Sequence, residues 1–388
     1  MKIQQVFGHV KAAKQVTTAT TTSFLLSPLL LATLLFSRVS SQLVDQPAPV
    51  YQAEFTSYND KTLYIRGGLN QGYPAKQLYA LDISPLLTYS NKLTWRKLDE
   101  AGPIEPFRAD LPLAVNRENQ AIFNFAETGQ MAEYNIALGR WTSGLMRVCF
   151  TPEVPLDSVR SSLRSTMDSK TGLIYIVGGW NGTEILVYNP AGKECSSLPL
   201  PPAFDAYYYL YHAWSESKNT IYVFGETAPT KGPAMWEFQV ASKTWKRLPA
   251  QGTPPPLWDH KCMTSAFGGQ KLVIFGGTDG ISIVSGDIHI FDTTTYTWTK
   301  GAVSPNARDD AICGSSGDFF IVWGGRDANL GNNSPTEILF YNMRTNQWVK
   351  QSDIVPPSSN ITTIAPPPIL PPLTSSGTIP STTTGPGS

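Results

Sequence analysis

Four cysteines, Cys149, Cys195, Cys262 and Cys313, are the side chains whose type most directly promises chemistry in this chain of 388 residues. No two of them form a CxxC pair, so the spacing of a dithiol redox motif or a zinc clip is absent. In an exported chain they suggest two disulfides, with three possible connectivities at this point; in a cytosolic one they would be four buried free thiols. Only four histidines occur: His9, His212, His260 and His289. There is no GxSxG elbow, no HExxH helix motif and no glycine-rich phosphate loop. Adjacent acids such as Asp309-Asp310 fit a solvated or turn role better than paired acid–base work. Three acceptor sequons, Asn181-Gly-Thr183, Asn332-Asn-Ser334 and Asn360-Ile-Thr362, add modification chemistry that requires export.

The ends of the chain bear on export. Lys2, Lys11, Lys14 and Arg38 lie in an acid-free first 41 residues, around the apolar run Phe24 to Phe36 and before the small residues Val39-Ser40-Ser41. Those 13 apolar-run residues are too few for a bilayer-spanning helix, which needs about 20. A signal peptide over 1–41 is the expectation; a mitochondrial presequence and an uncleaved anchor are the alternatives. Without that segment 26 basic residues face 30 acidic ones, which argues against a nucleic-acid partner. From Pro356 to Ser388 the chain is rich in Pro, Ser, Thr and Gly and carries no charge. That composition cannot bury a core, and 353–388 is expected to be a disordered, O-glycosylated stalk or spacer. It contains no hydrophobic stretch, so no C-terminal membrane span is expected in the sequence as given.

The elements that must position these residues are repetitive and β-rich. Charged residues make up only 15% of the chain, and Gly and Pro reach 31 each, which suits short strands joined by turns. An apolar strand ending in a glycine pair recurs as LYIRGG, LIYIVGG, LVIFGG and FFIVWGG. Weaker copies end at Ala126-Glu127 and Gly225-Glu226. The first members of the six pairs fall at 67, 126, 178, 225, 276 and 324, so the period is 47 to 59 residues. Downstream of each pair lies an aromatic-bearing strand and then Trp95, Trp141, Trp245, Trp298 or Trp348; in the third copy Cys195 stands in that place. This pattern resembles the kelch repeat over roughly residues 50 to 350.

The resemblance implies an all-β fold, a six-bladed kelch-type β-propeller of four-stranded antiparallel blades over 42–352. In it, the glycines supply tight turns after each second strand and each Trp packs between adjacent blades. The innermost strands are expected at Gln52–Ser57, Leu111–Val115, Leu163–Met167, Tyr209–Trp214, Cys262–Phe267 and Ala311–Ser315, with the first packing beside the last blade to close the ring. Cys262 and Cys313 then sit on neighbouring inner strands and are the favoured disulfide, leaving Cys149 with Cys195. Arg108, Arg160 and Arg308 recur where inner strands begin and are read as structural.

A propeller of this kind is expected to be a binding scaffold, secreted or at the cell surface, with a protein or glycan partner and no cofactor. Loops between second and third strands share one face with the loops between blades, and large aromatics and Arg there are the anchor types. Tyr73, Phe107, Trp180, Trp258 and Arg326 are the binding candidates. Glycans on Asn181 and Asn332 would lie on that same face and partly shield it. Two alternatives follow from the resemblance. One is an intracellular adaptor or actin-binding protein. The other is a copper radical oxidase of primary alcohols like galactose oxidase, with Tyr211, His212 and His260 as the copper candidates.

Overall fold

The computed structural model describes residues 46–100, 102–103, 112–125, 130–142, 146–147, 163–178, 184–201, 210–226, 233–249, 251–256, 262–278, 283–327 and 333–356. The chain divides into Met1–Gln46 and Pro47–Ser388, and all the strands lie in the second unit. The expected signal segment 1–41, and the tail beyond residue 356, lie outside the described residues.

Six antiparallel sheets follow one another along the chain, each with its strands in sequence order from the axis outwards. Blade 1 comprises Glu54–Tyr58, Thr62–Arg66, Leu78–Asp82 and Thr94–Asp99. Blade 2 comprises Leu113–Val115, Ala121–Phe125, Gln130–Asn135 and Arg140–Trp141. Blade 3 runs through Leu163–Met167, Ile174–Gly178, Glu184–Asn189 and Glu194–Pro199, and blade 4 through Tyr211–Ser215, Thr220–Glu226, Pro233–Gln239 and Thr244–Arg247. Blade 5 uses Cys262–Ala266, Lys271–Phe275, Ile288–Asp292 and Thr297–Lys300, and blade 6 Ile312–Ser316, Phe319–Trp323, Leu339–Asn342 and Gln347–Val349. The innermost strands touch in order around the ring, and that of blade 1 meets that of blade 6. The fold is therefore the six-bladed propeller that the repeats imply. Each inner strand starts within two residues of its expected position, although the expected starts Leu111 and Tyr209 themselves lie outside the described residues.

The glycine pairs behave as turn chemistry requires. Gly67, Gly276 and Gly324 take φ of 63°, 74° and 63°, and Gly68, Gly277 and Gly325 take 87°, 98° and 83°, in the region that L side chains avoid. Space matters as much as dihedral. A Cβ on Gly276 would overlap the carbonyl oxygen of Arg308, and one on Gly324 that of Val50. Those carbonyls belong to the next blade around the ring, and they accept hydrogen bonds from the second glycines, Gly277 (3.0 Å) and Gly325 (2.9 Å). Blades are thus joined at the axis by backbone contacts that a side chain would block.

Further out, aromatic packing does the joining, because a blade cannot hide its own apolar faces. The indole of Trp298 packs on Phe224 of blade 4 at 5.3 Å, Trp348 on Phe275 of blade 5 at 5.3 Å, and Trp95 on Trp323 of blade 6 at 5.0 Å. Each partner immediately precedes the first glycine of its repeat. Indole N–H groups donate to the preceding blade's outgoing chain, Trp348 to the Ala302 carbonyl at 2.7 Å and Trp245 to that of Pro199 at 3.2 Å. Burial lowers the pKa of the enclosed Arg308 guanidinium to about 10, with Glu337 pulling the other way, and it still donates to the Gly324 and Glu337 carbonyls at 3.1 and 3.2 Å. This bears out the structural reading of that arginine; Arg108 and Arg160 lie outside the described residues.

Three features go beyond the expected plan. A hairpin of Leu69–Asn70 and Tyr73–Pro74 is inserted in blade 1. Gln251–Gly252 adds a parallel strand outside Thr297–Lys300, and Met146–Arg147 pairs with Gln130–Asn135. The packed chain also continues past the expected boundary at 352, because Ile354 is buried in the core between blades 6 and 1.

The Cys262–Cys313 disulfide is present and joins inner strands of neighbouring blades, with Cα atoms 6.0 Å apart. Cys195 is also disulfide-bonded, and Cys149 lies outside the described residues. Replacing Cys262 and Cys313 together by Ala should cost about 2–4 kcal/mol of unfolding free energy, measured by denaturant titration without reductant. Gly276→Ala should cost about 2 kcal/mol or more, since it meets both positive φ and an occupied volume, whereas Gly268→Ala faces open space and should cost less.

Candidate functional site

Strand alternation places the loops joining second to third strands on one face of the ring, with the linkers between blades. On this loop face Tyr73 stands on the blade 1 hairpin with 76% of its surface exposed. Arg326 is there too, but its guanidinium is committed. Its Nε and Nη2 donate to the two Asp309 carboxylate oxygens at 3.0 and 2.8 Å, Nη2 lies 2.9 Å from Asp310, and the group covers the Tyr51 ring at 5.2 Å. Asp309 and Asp310 are accordingly buried rather than solvated. This knot ties blade 6 to the chain entering blade 1. Phe107, Trp180 and Trp258, and the sequons at Asn181, Asn332 and Asn360, lie outside the described residues.

The opposite face carries the turns between first and second strands. There the central channel opens into a cavity of about 540 Å³. Its rim is drawn from those turns, with Asp60 of blade 1, Arg117 of blade 2, Ser169 of blade 3, Glu216 of blade 4 and Gly268 of blade 5. Its walls are inner-strand residues, among them Phe55, Arg164, Trp214 and Met263, and Cys313 of the disulfide also lines it. Glu54, Asp309 and Asp310, at the far end of the inner strands, are not part of the lining.

Several lining residues are held by a neighbour. The Arg164 guanidinium lies over the Phe55 ring at 5.2 Å across the channel. The Trp214 indole N–H donates to Glu216 at 2.9 Å, and the Ser169 hydroxyl donates to the same carboxylate oxygen. Burial raises the Asp60 carboxyl to a pKa of about 6, so a proton is retained at this rim in mildly acidic solution.

His212 is held in the opposite sense. Burial lowers its pKa to about 4; the Arg164 backbone opposes this and the Arg164 charge reinforces it. The backbone contribution is small in practice, since neither ring nitrogen reaches hydrogen-bonding geometry. His212 is thus a neutral imidazole beside a cation. Tyr211 precedes it on the strand and points to the other side of the blade, into the core shared with Met263, Leu272 and Phe291. Both residues nevertheless border the channel cavity, and the Arg164 cation beside His212 opposes a copper ion there. His260 lies outside the described residues, and among the described residues no three His, Cys, Asp or Glu side chains gather as a metal cluster.

With this geometry in view, comparison with known proteins is informative. Residues 164–363 match the family model "KLHDC2/KLHL20/DRC7 Kelch-repeats domain", half of the chain. The chain belongs to the kelch-repeat family. Kelch domain-containing protein 3 of Bos taurus is 29% identical over 143 residues, 34% of this chain and 37% of that protein. Acyl-CoA-binding domain-containing protein 4 of Arabidopsis thaliana is 32% identical over 101 residues, 25% of this chain and 15% of that protein. The chain thus aligns with 15 to 37% of the length of these relatives. Among solved structures, "Structure of YjhT" superposes with a TM-score of 0.57 at 15% identity, covering 78% of this chain and 98% of that one, a likeness of fold.

The binding candidates read from the sequence lie on the loop face, whereas the copper candidates Tyr211 and His212 border the channel.

The buried imidazole gives a pH test. His212 binds fewer protons folded than unfolded between pH 4 and its ordinary 6.5, so its contribution to stability falls as pH drops through that window and is constant above it. The loss amounts to about 3 kcal/mol. Asp60 acts oppositely, holding its proton in the folded state, so its contribution falls as pH rises from 3.8 to about 6. The difference between wild type and His212→Gln isolates the histidine. Its unfolding free energy, measured from pH 7 to pH 4, should shift toward the variant, and a difference independent of pH would contradict the assignment.

Proposed function

We propose that this kelch propeller is a binding scaffold, secreted or displayed at the cell surface, that recognises a protein or glycan through its loop face. One observation carries the scaffold reading. Charged side chains near the axis on that face are spent on the ring itself: Glu54 with Arg66 at 2.8 Å and with Asn124 of the next blade at 2.7 Å, and Arg326 with Asp309 and Asp310. The loop-borne Tyr73, by contrast, is held out in solvent, an amphipathic ring of the kind that anchors partners. Export is supported separately by the disulfides, because cytosolic thiols are kept reduced.

Expressed with its N-terminal segment intact, the protein should accumulate in the medium and shift in mobility on glycosidase treatment. Retention in the cytosol without glycan would remove the export reading. Affinity capture from the same source should recover a partner that is lost with Tyr73→Ala or Trp258→Ala. Capture unchanged by both substitutions would remove this face.

A further inference from the structure

We propose that the channel cavity on the face opposite the loops binds an uncharged oligosaccharide. This goes beyond the loop-face reading and rests on different residues. The cavity volume of about 540 Å³ lies within the ~300–1,000 Å³ of small-molecule sites and has room for roughly two pyranose rings.

The lining then selects the chemistry. Trp214 offers an aromatic face of the sort that packs on the apolar C–H face of a sugar ring, and it is locked in place by its bond to Glu216. Around it the hydroxyls of Thr56, Ser57 and Thr166 line the cavity without a hydrogen bond among the described residues, each able to donate and accept. Alternating donors and acceptors beside an apolar face are the complement of a polyol ring. Formal charge in the lining cancels, with Arg117 and Arg164 against Asp60 and Glu216, His212 being neutral. A strongly anionic or cationic ligand therefore gains little, whereas each of these groups can hydrogen-bond a neutral hydroxyl.

The test titrates the full secreted protein with maltotriose, cellotriose and N-acetylchitotriose, following tryptophan fluorescence and saturation-transfer NMR. At least one should bind saturably. Trp214→Ala should weaken it by about tenfold or more, and the shape-preserving Thr166→Val by about fivefold. If Trp214→Ala does not fold, Thr166→Val decides. Tyr73→Ala should leave saccharide binding unchanged, so failure of the loop-face reading and failure of this one are separable. No binding by any of the three sugars would overturn the proposal. So would binding indifferent to both channel substitutions, tighter binding of trigalacturonate, or loss of binding in Tyr73→Ala.

Discussion

The approach of one blade's backbone to the next at the glycine turns is the contact on which the rest of this molecule depends. Gly325 donates to Val50 and Gly277 to Arg308, and in both seams the preceding glycine lies so close to that carbonyl that no side chain fits. Only once this distance is set can the indoles of Trp348 and Trp95 reach the aromatic just before the neighbouring glycine. The order of causes runs from the axis outwards. Backbone proximity fixes the angle between blades, and the tryptophans fill the wedge that this angle opens, excluding water from both faces.

The same geometry decides where chemistry can reside. A radial blade presents its inner strand edge-on to the axis, so side chains from either face of that strand border the channel. Adjacent residues then go to different seams, as Tyr211 does toward blade 5 and His212 toward Arg164 of blade 3. Convergent clusters must be assembled from several blades rather than from neighbours in sequence. The buried Glu54–Arg66 pair with Asn124 shows how the ring uses such convergence for cohesion: a carboxylate in the interior is tolerable because it accepts from two blades at once.

Much of this was legible in the sequence, for physical reasons that can be named. The glycine pairs and tryptophans recur at a near-regular spacing, so they mark the blades even where a copy lacks one of them. Cys262 and Cys313 could be paired because both fall on inner strands of successive repeats, and the ring leaves them adjacent. The cavity was less legible. Arg164, Trp214 and Asp60 come from three different repeats, and nothing in their separate surroundings announces that they share a space. The parallel strand Gln251–Gly252 was hidden for a related reason, since two residues carry no alternation to detect and their pairing depends on the outer strand they meet. Arg326 illustrates the reverse case. Its place on a loop suggested a free anchor, whereas the acids that occupy it lie 16 and 17 positions earlier in the chain, where proximity is visible only after folding.

Closure of the ring without exchange of strands has a consequence for how the chain reaches its folded form. Since spatial order equals chain order, each blade can form from a continuous stretch as synthesis proceeds and stack on the one before it. The final event is of another kind. The core holding Val50, Leu63 and Ile65 against Ile312, Phe319 and Ile321 joins parts of the chain more than 240 residues apart, and it cannot form until blade 6 exists. Throughout elongation the outer flank of blade 1 therefore remains a bare greasy surface, and the growing polypeptide is at its stickiest just before it is complete.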